Sequence, residues 1–208
     1  MKGIKYILRD FGWVVIRWKY QQKIFHKTSK LYKIPLEQMT PVLSPYINKL
    51  RRWEISEKAL RKNFCKQIQK PIHSQTNQIL HQTVSKSILN HSIINLVKKL
   101  SKIWYKNMVL SDTVKSHKNY IKQKWRYKDF DNLVFSCDIW LSKRDDIQNS
   151  TTKFFDYVLK KYKIKPEEAI FIDDKEDNCK VANQLSIKTI TAQNTRQTIK
   201  DLKKRLKI

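Results

Sequence analysis

The stretch Phe-Ile-Asp-Asp at residues 171–174 decides the fold, together with Ile-Leu-Arg-Asp-Phe-Gly at residues 7–12. Each is a short apolar run that ends in a carboxylate, and such a run with polar borders indicates a buried strand. Acids at the end of such a strand lie at the carboxyl edge of a parallel sheet, where open α/β folds bind ligands. The two stretches come from opposite ends of the chain and predict one shared metal site, an arrangement typical of enzymes.

The composition is that of a globular protein of 208 residues, enough for one domain with a small insertion. Hydrophobic residues make up 40% of the chain, so it can bury a core. No window approaches ~18 uninterrupted apolar residues, and the N-terminus shows no signal-peptide pattern. The three widely spaced cysteines suit a reducing compartment and form no metal-binding pair. We therefore expect a cytoplasmic protein that makes no membrane contact.

The formal net charge of +26 allows two interpretations. One is a polyanionic partner such as nucleic acid. The other is compositional drift, because the chain is rich in Lys, Asn and Ile, which adenine- and thymine-rich codons favour. The basic residues are spread over the whole length, without a basic tail or an Arg-rich run, so we favour drift and leave nucleic acid open. The charge also attracts small phosphorylated substrates over a Debye length of ~8 Å. The oligomeric state has no signature in the sequence.

Strands and helices alternate in two parts of the chain, residues 1–16 and 91–208, with apolar runs at 107–110, 132–136, 169–172 and 188–191. This alternation predicts an α/β fold, a doubly wound parallel sheet with helices on both faces. Residues 17–90 show helical periodicity and no convincing strand. Prolines divide this segment into short pieces, and Ser56 is a plausible N-cap. We expect the segment to be an inserted helical cap of about four helices.

Four polar groups follow predicted strand ends: Asp10, Ser111, Lys143 and the acid pair at 173–174. The set suits phosphoryl transfer. A carboxylate such as Asp10 can attack phosphorus and form an aspartyl phosphate. Mg²⁺ bound by carboxylate and carbonyl oxygens would neutralise the phosphate. Ser111 could hold phosphate oxygens, and Lys143 could balance the charge that develops on the transferring group.

These motifs resemble those of the haloacid dehalogenase-like (HAD) hydrolases, in particular the group with a helical cap after the first strand of a Rossmann-like core. Leu-Ser-Asp-Thr at 110–113 resembles the family's second motif. Residues 134–143 resemble the approach to its lysine motif, and residues 165–174 resemble its metal-binding motif. All four motifs occur in family order, and the resemblance covers nearly the whole chain.

The resemblance implies a role for each matching residue. Asp10 matches the nucleophile, and the backbone carbonyl of Gly12 would bind Mg²⁺. Asp174 matches the acid that binds Mg²⁺, with Asp173 beside it as a second or water-mediated ligand. The residues implied to bind substrate are Ser111, Asp112 and Lys143. Asn178 stands at the family's auxiliary acid position.

Three departures from the family pattern bear on activity. Gly12 stands where many family phosphatases carry a second Asp that acts as general acid and base. Arg9 replaces an apolar residue, and a charge buried there would be costly. Arg144 replaces the Pro that usually follows the lysine. We therefore predict a Mg²⁺-dependent phosphohydrolase of a sugar phosphate or nucleotide, or alternatively a catalytically impaired relative that binds a phosphorylated ligand or nucleic acid. A dehalogenase, which needs no metal, is a weaker possibility.

Glycine and tryptophan occur in unusual proportion, with 2 glycines and 6 tryptophans, where glycine is ordinarily ~7% of residues. Trp13, Trp53, Trp104, Trp125 and Trp140 fall in predicted loops, turns or helix ends, where glycine is the usual residue or the one that the family has. Trp18 is compatible with the same interpretation. Each tryptophan alone could be an ordinary core or surface residue. Together they suggest a gene that uses UGA for glycine but was translated with UGA as tryptophan.

Overall fold

Five parallel strands form the central sheet in the computed structural model, which describes residues 3–17, 21–76, 87–124 and 129–208. The seven strands described are β1 (Tyr6–Arg9), β2 (Ile16–Arg17), β3 (Ile88–Leu89), β4 (Lys106–Ser111), β5 (Asn132–Phe135), β6 (Ala169–Asp173) and β7 (Lys188–Thr191). Of these, β2 and β3 form a separate antiparallel pair. The order in the sheet is β5-β4-β1-β6-β7, and each pairing is parallel. The predicted α/β fold with a doubly wound parallel sheet is confirmed.

Helices that follow residue 90 in the sequence cover both faces of the sheet, and ten α-helices are described. They are α1 (Gln21–Tyr32), α2 (Leu36–Arg51), α3 (Glu57–Gln67), α4 (His91–Ile103), α5 (Lys115–Lys124), α6 (Ser136–Ile139), α7 (Lys143–Asn149), α8 (Lys153–Tyr162), α9 (Glu176–Gln184) and α10 (Thr195–Leu206). None of the described helices has both the length and the apolar character that a membrane crossing requires.

Side-chain alternation along β1 divides the core between the two faces of the sheet. Leu8 contributes to a buried cluster that includes Phe155 of α8 and Phe171 of β6. Ile7 contributes to a cluster on the other face, which includes Leu100 of α4 and Leu202 of α10. Burial of both faces explains why the strands are continuous apolar runs in the sequence.

Helices α1–α3 pack around a separate buried cluster, which includes Met39, Leu43 and Phe64. The prediction that prolines divide this segment is wrong for α2, because Pro41 and Pro45 lie inside one helix of 16 residues. Both prolines are exposed, on the side of α2 away from the cluster. Each removes one helix hydrogen bond, but the carbonyl that it leaves without a partner on this side can bind water.

Strand β3 was not expected, because residues 17–90 show no strand pattern. Ile88 and Leu89 pair antiparallel with Arg17 and Ile16 of β2. A two-residue strand is too short to show alternation in sequence, so it depends on its partner. The pairing brings together the chain segments that lie before α1 and after α3 in the sequence.

Candidate functional site

The ends of β1 and β6 bring three carboxylates together. The N–H of Asp10 donates to the carbonyl of Ile172 at 2.8 Å, so Asp10 lies beside the acid pair that ends β6. One oxygen each from Asp10, Asp173 and Asp174 lie within 4.8 Å of one another, an arrangement that could hold a metal ion. Asp173 is buried and the other two are half-buried.

Lys143 joins two of these carboxylates. Its Nζ donates to Asp10 Oδ1 at 2.6 Å, to Asp173 Oδ2 at 2.7 Å and to the Leu110 carbonyl at 3.1 Å. The lysine begins α7 and does not end a strand, so the sequence prediction of its location is wrong. Strand β5 already ends at Phe135, and Ser142 starts the new helix by accepting the N–H of Asp145 at 3.1 Å.

Asp112 holds the start of α7 in place. One of its carboxylate oxygens accepts the N–H of Lys143 at 3.0 Å, and the other accepts the N–H of Arg144 at 3.1 Å. Its negative charge also suits a helix N-terminus. Ser111 ends β4 in register with Phe135 and is buried. Substrate binding by Ser111 and Asp112 stays a prediction, and the contacts of Asp112 give it a part in positioning Lys143.

Asp173 is fixed more tightly than Asp174. Besides the contact with Lys143, it accepts the N–H of Lys175 at 2.9 Å and an N–H of the Asn178 amide at 2.9 Å. Both of its oxygens therefore take part in this network. Asn178 was expected near the metal motif, and it acts by orienting Asp173. This leaves the neighbouring carboxylate of Asp174 better placed to bind a cation directly.

Burial and mutual repulsion raise the pKa values of the half-buried acids. Burial raises the pKa of Asp10 to about 7; Lys143 opposes this rise and Asp173 adds to it. Burial, followed by repulsion from Asp173, raises the pKa of Asp174. Burial alone would lower the pKa of Lys143, but the carboxylates of Asp10 and Asp173 raise it above its ordinary value. Three carboxylates beside one ammonium leave an excess of acidic groups, whose negative charge a divalent cation would offset.

The loop after Asp10 contains Gly12, whose carbonyl accepts the N–H of Val14 at 2.7 Å. A carbonyl oxygen has two lone pairs, so this contact leaves one for a cation. Metal binding by Gly12 stays a prediction.

Arg9, the residue before Asp10, is only 1% exposed. Its Nη1 donates to Asn107 Oδ1 at 2.7 Å. Its Nε and Nη2 have no hydrogen-bond partner among the described residues. Burial lowers the pKa of Arg9 to about 9. The Arg9 charge, which the sequence predicted to be costly, is therefore buried, and the hydrogen bond to Asn107 compensates it only in part.

Arg51, at the end of α2, was not identified from the sequence. It is half-buried, and burial lowers its pKa, while the carboxylates of Asp112 and Asp10 act in the opposite direction. The end of α2 contacts the site through Asn48, whose Oδ1 accepts an N–H of Arg144 at 3.2 Å. Nothing distinguishes Arg51 from the many other basic residues of this chain, so only the structure reveals its position.

No protein-family model matches the chain. The structure is similar to a HAD family enzyme from Bacteroides thetaiotaomicron, with 25% identity over 95% of this chain and 98% of that one and a TM-score of 0.76. A HAD phosphatase from Thermococcus onnurineus is 16% identical over 98% of both chains, with a TM-score of 0.64. The L-2-haloacid dehalogenase from Xanthobacter autotrophicus is 13% identical over 95% of this chain and 81% of that one, with a TM-score of 0.62.

These likenesses, with the strand order, identify the fold. The chain has the fold of the HAD-like hydrolases, and the resemblance stated from the sequence is confirmed. The neighbours include a phosphatase and a dehalogenase, so the fold alone does not select the reaction.

Proposed function

We propose that this protein is a Mg²⁺-dependent phosphohydrolase of a small phosphorylated metabolite, such as a sugar phosphate or a nucleotide. The observation that carries the proposal is the set of three carboxylates within 4.8 Å of one another, beside the ammonium of Lys143. Oxygen ligands of this kind suit a hard divalent cation. The Bacteroides enzyme was crystallised in complex with magnesium and inorganic phosphate, which supports the same cofactor here.

The reaction that we propose has two steps. A carboxylate oxygen of Asp10 attacks phosphorus, and the bond from phosphorus to the leaving alcohol oxygen breaks. The alcohol oxygen takes a proton from water, because Gly12 stands where many relatives have an acid. The hydroxide left from that water then attacks the phosphorus of the aspartyl phosphate, which releases hydrogen phosphate and restores the carboxylate of Asp10.

Each site residue has a distinct part in this proposal. Lys143 holds Oδ1 of Asp10, which leaves Oδ2 for the attack, and its charge stabilises the transferring group. Ser111 binds phosphate oxygens, and Asp112 positions Lys143. Mg²⁺ would neutralise the phosphate charge when bound. Its proposed ligands are Asp10, Asp174 and the Gly12 carbonyl, with Asp173 as a second or water-mediated ligand.

We further propose that residues 17–90 are a cap over a core of residues 1–16 and 91–208, and that the cap selects the substrate. The support is the contact of the end of α2 with the start of α7. Arg52 pairs with Asp145, and Arg144 donates to Asn48. A cap that closes here would exclude water from the phosphoryl group during transfer. All three cysteines are free and buried, in keeping with a proposed cytoplasmic location.

The test is hydrolysis of a generic aryl phosphate in Mg²⁺, in EDTA and by the variant Asp10→Asn. We expect activity in Mg²⁺ alone and a loss of at least about 10³-fold in the other two cases. Asp138→Asn is the matched control, because this exposed carboxylate pairs with Lys118 and lies outside the cluster. Hydrolysis that persists in EDTA or in Asp10→Asn would exclude the mechanism.

Three further assays on the same protein distinguish the alternative functions. A catalytically impaired relative, which Gly12 favours, would bind inorganic phosphate with Mg²⁺ in calorimetry but hydrolyse no phosphate ester. A dehalogenase would release chloride from 2-chloropropionate without a metal. A nucleic-acid-binding protein, which the charge of +26 allows, would bind DNA or RNA with an affinity that falls steeply with salt.

A further inference from the structure

Four tryptophans share a backbone conformation that suits glycine. The φ angles are 59° at Trp13, 65° at Trp53, 102° at Trp104 and 62° at Trp140. These are all the tryptophans among the described residues, since positions 18 and 125 lie outside them. Only a few per cent of non-glycine residues have positive φ, and a bulky side chain there is an outlier. One such residue is unremarkable, but four out of four require a common cause.

The other residues with positive φ show how specific the pattern is. Among the described residues, tryptophan supplies 4 of the 10 non-glycine residues with positive φ, although the whole chain of 208 residues contains only 6 tryptophans. The remaining six are Lys, Gln or Ser, polar residues in turns and helix ends. Neither glycine of the chain has positive φ. The chain therefore has tryptophan in several of the places where other proteins use glycine.

Packing does not explain these indoles. They are 49%, 38%, 58% and 60% exposed at positions 13, 53, 104 and 140. Two of the indoles contact a neighbouring side chain: the ring centroid of Trp104 lies 4.4 Å from that of Tyr105, and the Nζ of Lys115 lies 4.0 Å from the ring centroid of Trp53. Since burial is the main stabilising contribution of an aromatic side chain, these positions gain little from tryptophan.

Helix geometry explains glycine at three of the positions. Trp104 and Trp140 are the left-handed caps that end α4 and α6. Trp53 follows the last turn of α2, and its N–H donates to the Leu50 carbonyl at 3.0 Å. Helices commonly end in this conformation, and glycine is the usual residue there because it has no Cβ.

The fourth position lies at the site. Trp13 follows the loop of Asp10 and lines a cavity of about 460 Å³, which Asp174 and Thr195 also line. Glycine at this position would remove an indole from the cavity beside the proposed metal ligand. It would also remove the strain of a positive φ at a bulky residue from the loop that carries Asp10.

We propose that the functional protein carries glycine at positions 13, 53, 104 and 140, specified by UGA codons that its cell decodes as glycine. The sequence as written is then a translation in which UGA was read as tryptophan. This proposal concerns the chemical identity of the chain and does not depend on the reaction that it catalyses.

The direct test is mass spectrometry of the protein isolated from cells that carry the gene. Peptides that span the four positions should have the mass of glycine at each, and the gene should show UGA there. Tryptophan in these peptides, or UGG codons at these positions, would overturn the proposal.

A recombinant comparison tests the physical basis independently of activity. Replacing all four tryptophans by glycine should raise the melting temperature by about 5 °C or more relative to the chain as written. Ile103→Gly is the control, because Ile103 adjoins Trp104, is 47% exposed and has helical φ. It should lower the melting temperature. A four-glycine variant that melts below the chain as written would overturn the inference, whichever phosphate esters either protein hydrolyses.

Discussion

Replacing Arg9 by Met is expected to stabilise the protein, because the arginine is a buried cation with one compensating hydrogen bond. Two of its nitrogens lack partners among the described residues, and a buried donor of this kind costs about 1–3 kcal/mol. The two together cost about 2–6 kcal/mol. The variant loses the hydrogen bond to Asn107 and leaves that buried amide oxygen without this donor, at a cost of about 1–3 kcal/mol, but it keeps most of the apolar contact of the side chain. With about 2 kcal/mol for each of the three polar groups, we expect a net gain of about 2 kcal/mol, within the range seen when apolar residues replace buried ions.

Thermal unfolding measures this gain. For a chain of this length 1 kcal/mol corresponds to about 2–4 °C, so the melting temperature should rise by about 4–8 °C. Arg205→Met is the matched control, since this arginine is exposed on α10, and its change should stay within about 0.5 kcal/mol. If Arg9→Met melts below both the parent and the control, the guanidinium has a compensating partner and the reasoning is refuted.

Three further substitutions test the site and its supports. Lys143→Met should lower the free energy of unfolding by about 3–5 kcal/mol in urea titrations, because it leaves the Asp10 and Asp173 carboxylates facing each other without the cation. An unchanged urea midpoint would show that the ammonium does not stabilise the fold. Arg51→Gln should raise KM for an aryl phosphate about 10-fold with little change in kcat, because the cation lies near the carboxylates of Asp10 and Asp112 and contributes to binding the anion. A fall in kcat with unchanged KM in steady-state kinetics would show that Arg51 does not act in substrate binding. Asp146→Ala should lower the free energy of unfolding by about 2–3 kcal/mol, since the carboxylate of Asp146 accepts the buried N–H of Phe154 at 2.9 Å. Asp146→Asn keeps an acceptor and should lower it less in the same unfolding assay.

The sheet could be predicted from the sequence because its strands are buried on both faces. An apolar run such as residues 169–172 needs no knowledge of its neighbours to be identified, and the acids that follow it mark the strand end. The convergence of Asp10 with Asp173 and Asp174 follows from the same edge rule. These parts of the site are local in sequence or fixed by the topology of a parallel sheet.

Other parts depend on tertiary contacts that no local pattern records. Lys143 was expected at a strand end, but Ser142 begins a helix there and Asp112, from another loop, holds it. Pro41 was expected to end a helix, but it lies on the exposed side of α2. Arg51 reaches the site only because α2 ends beside α6 and α7, which the sequence of α2 does not encode.

The pairing of β2 with β3 has a consequence for how the protein can be altered. Because Ile16 lies opposite Leu89, the chain enters the proposed cap and leaves it through adjacent residues. A short turn could therefore join the two strands in place of everything between them. Excision of the intervening segment should leave a smaller protein with the same five-stranded sheet, and evolution could exchange this segment for another without disturbing the strands that carry the carboxylates.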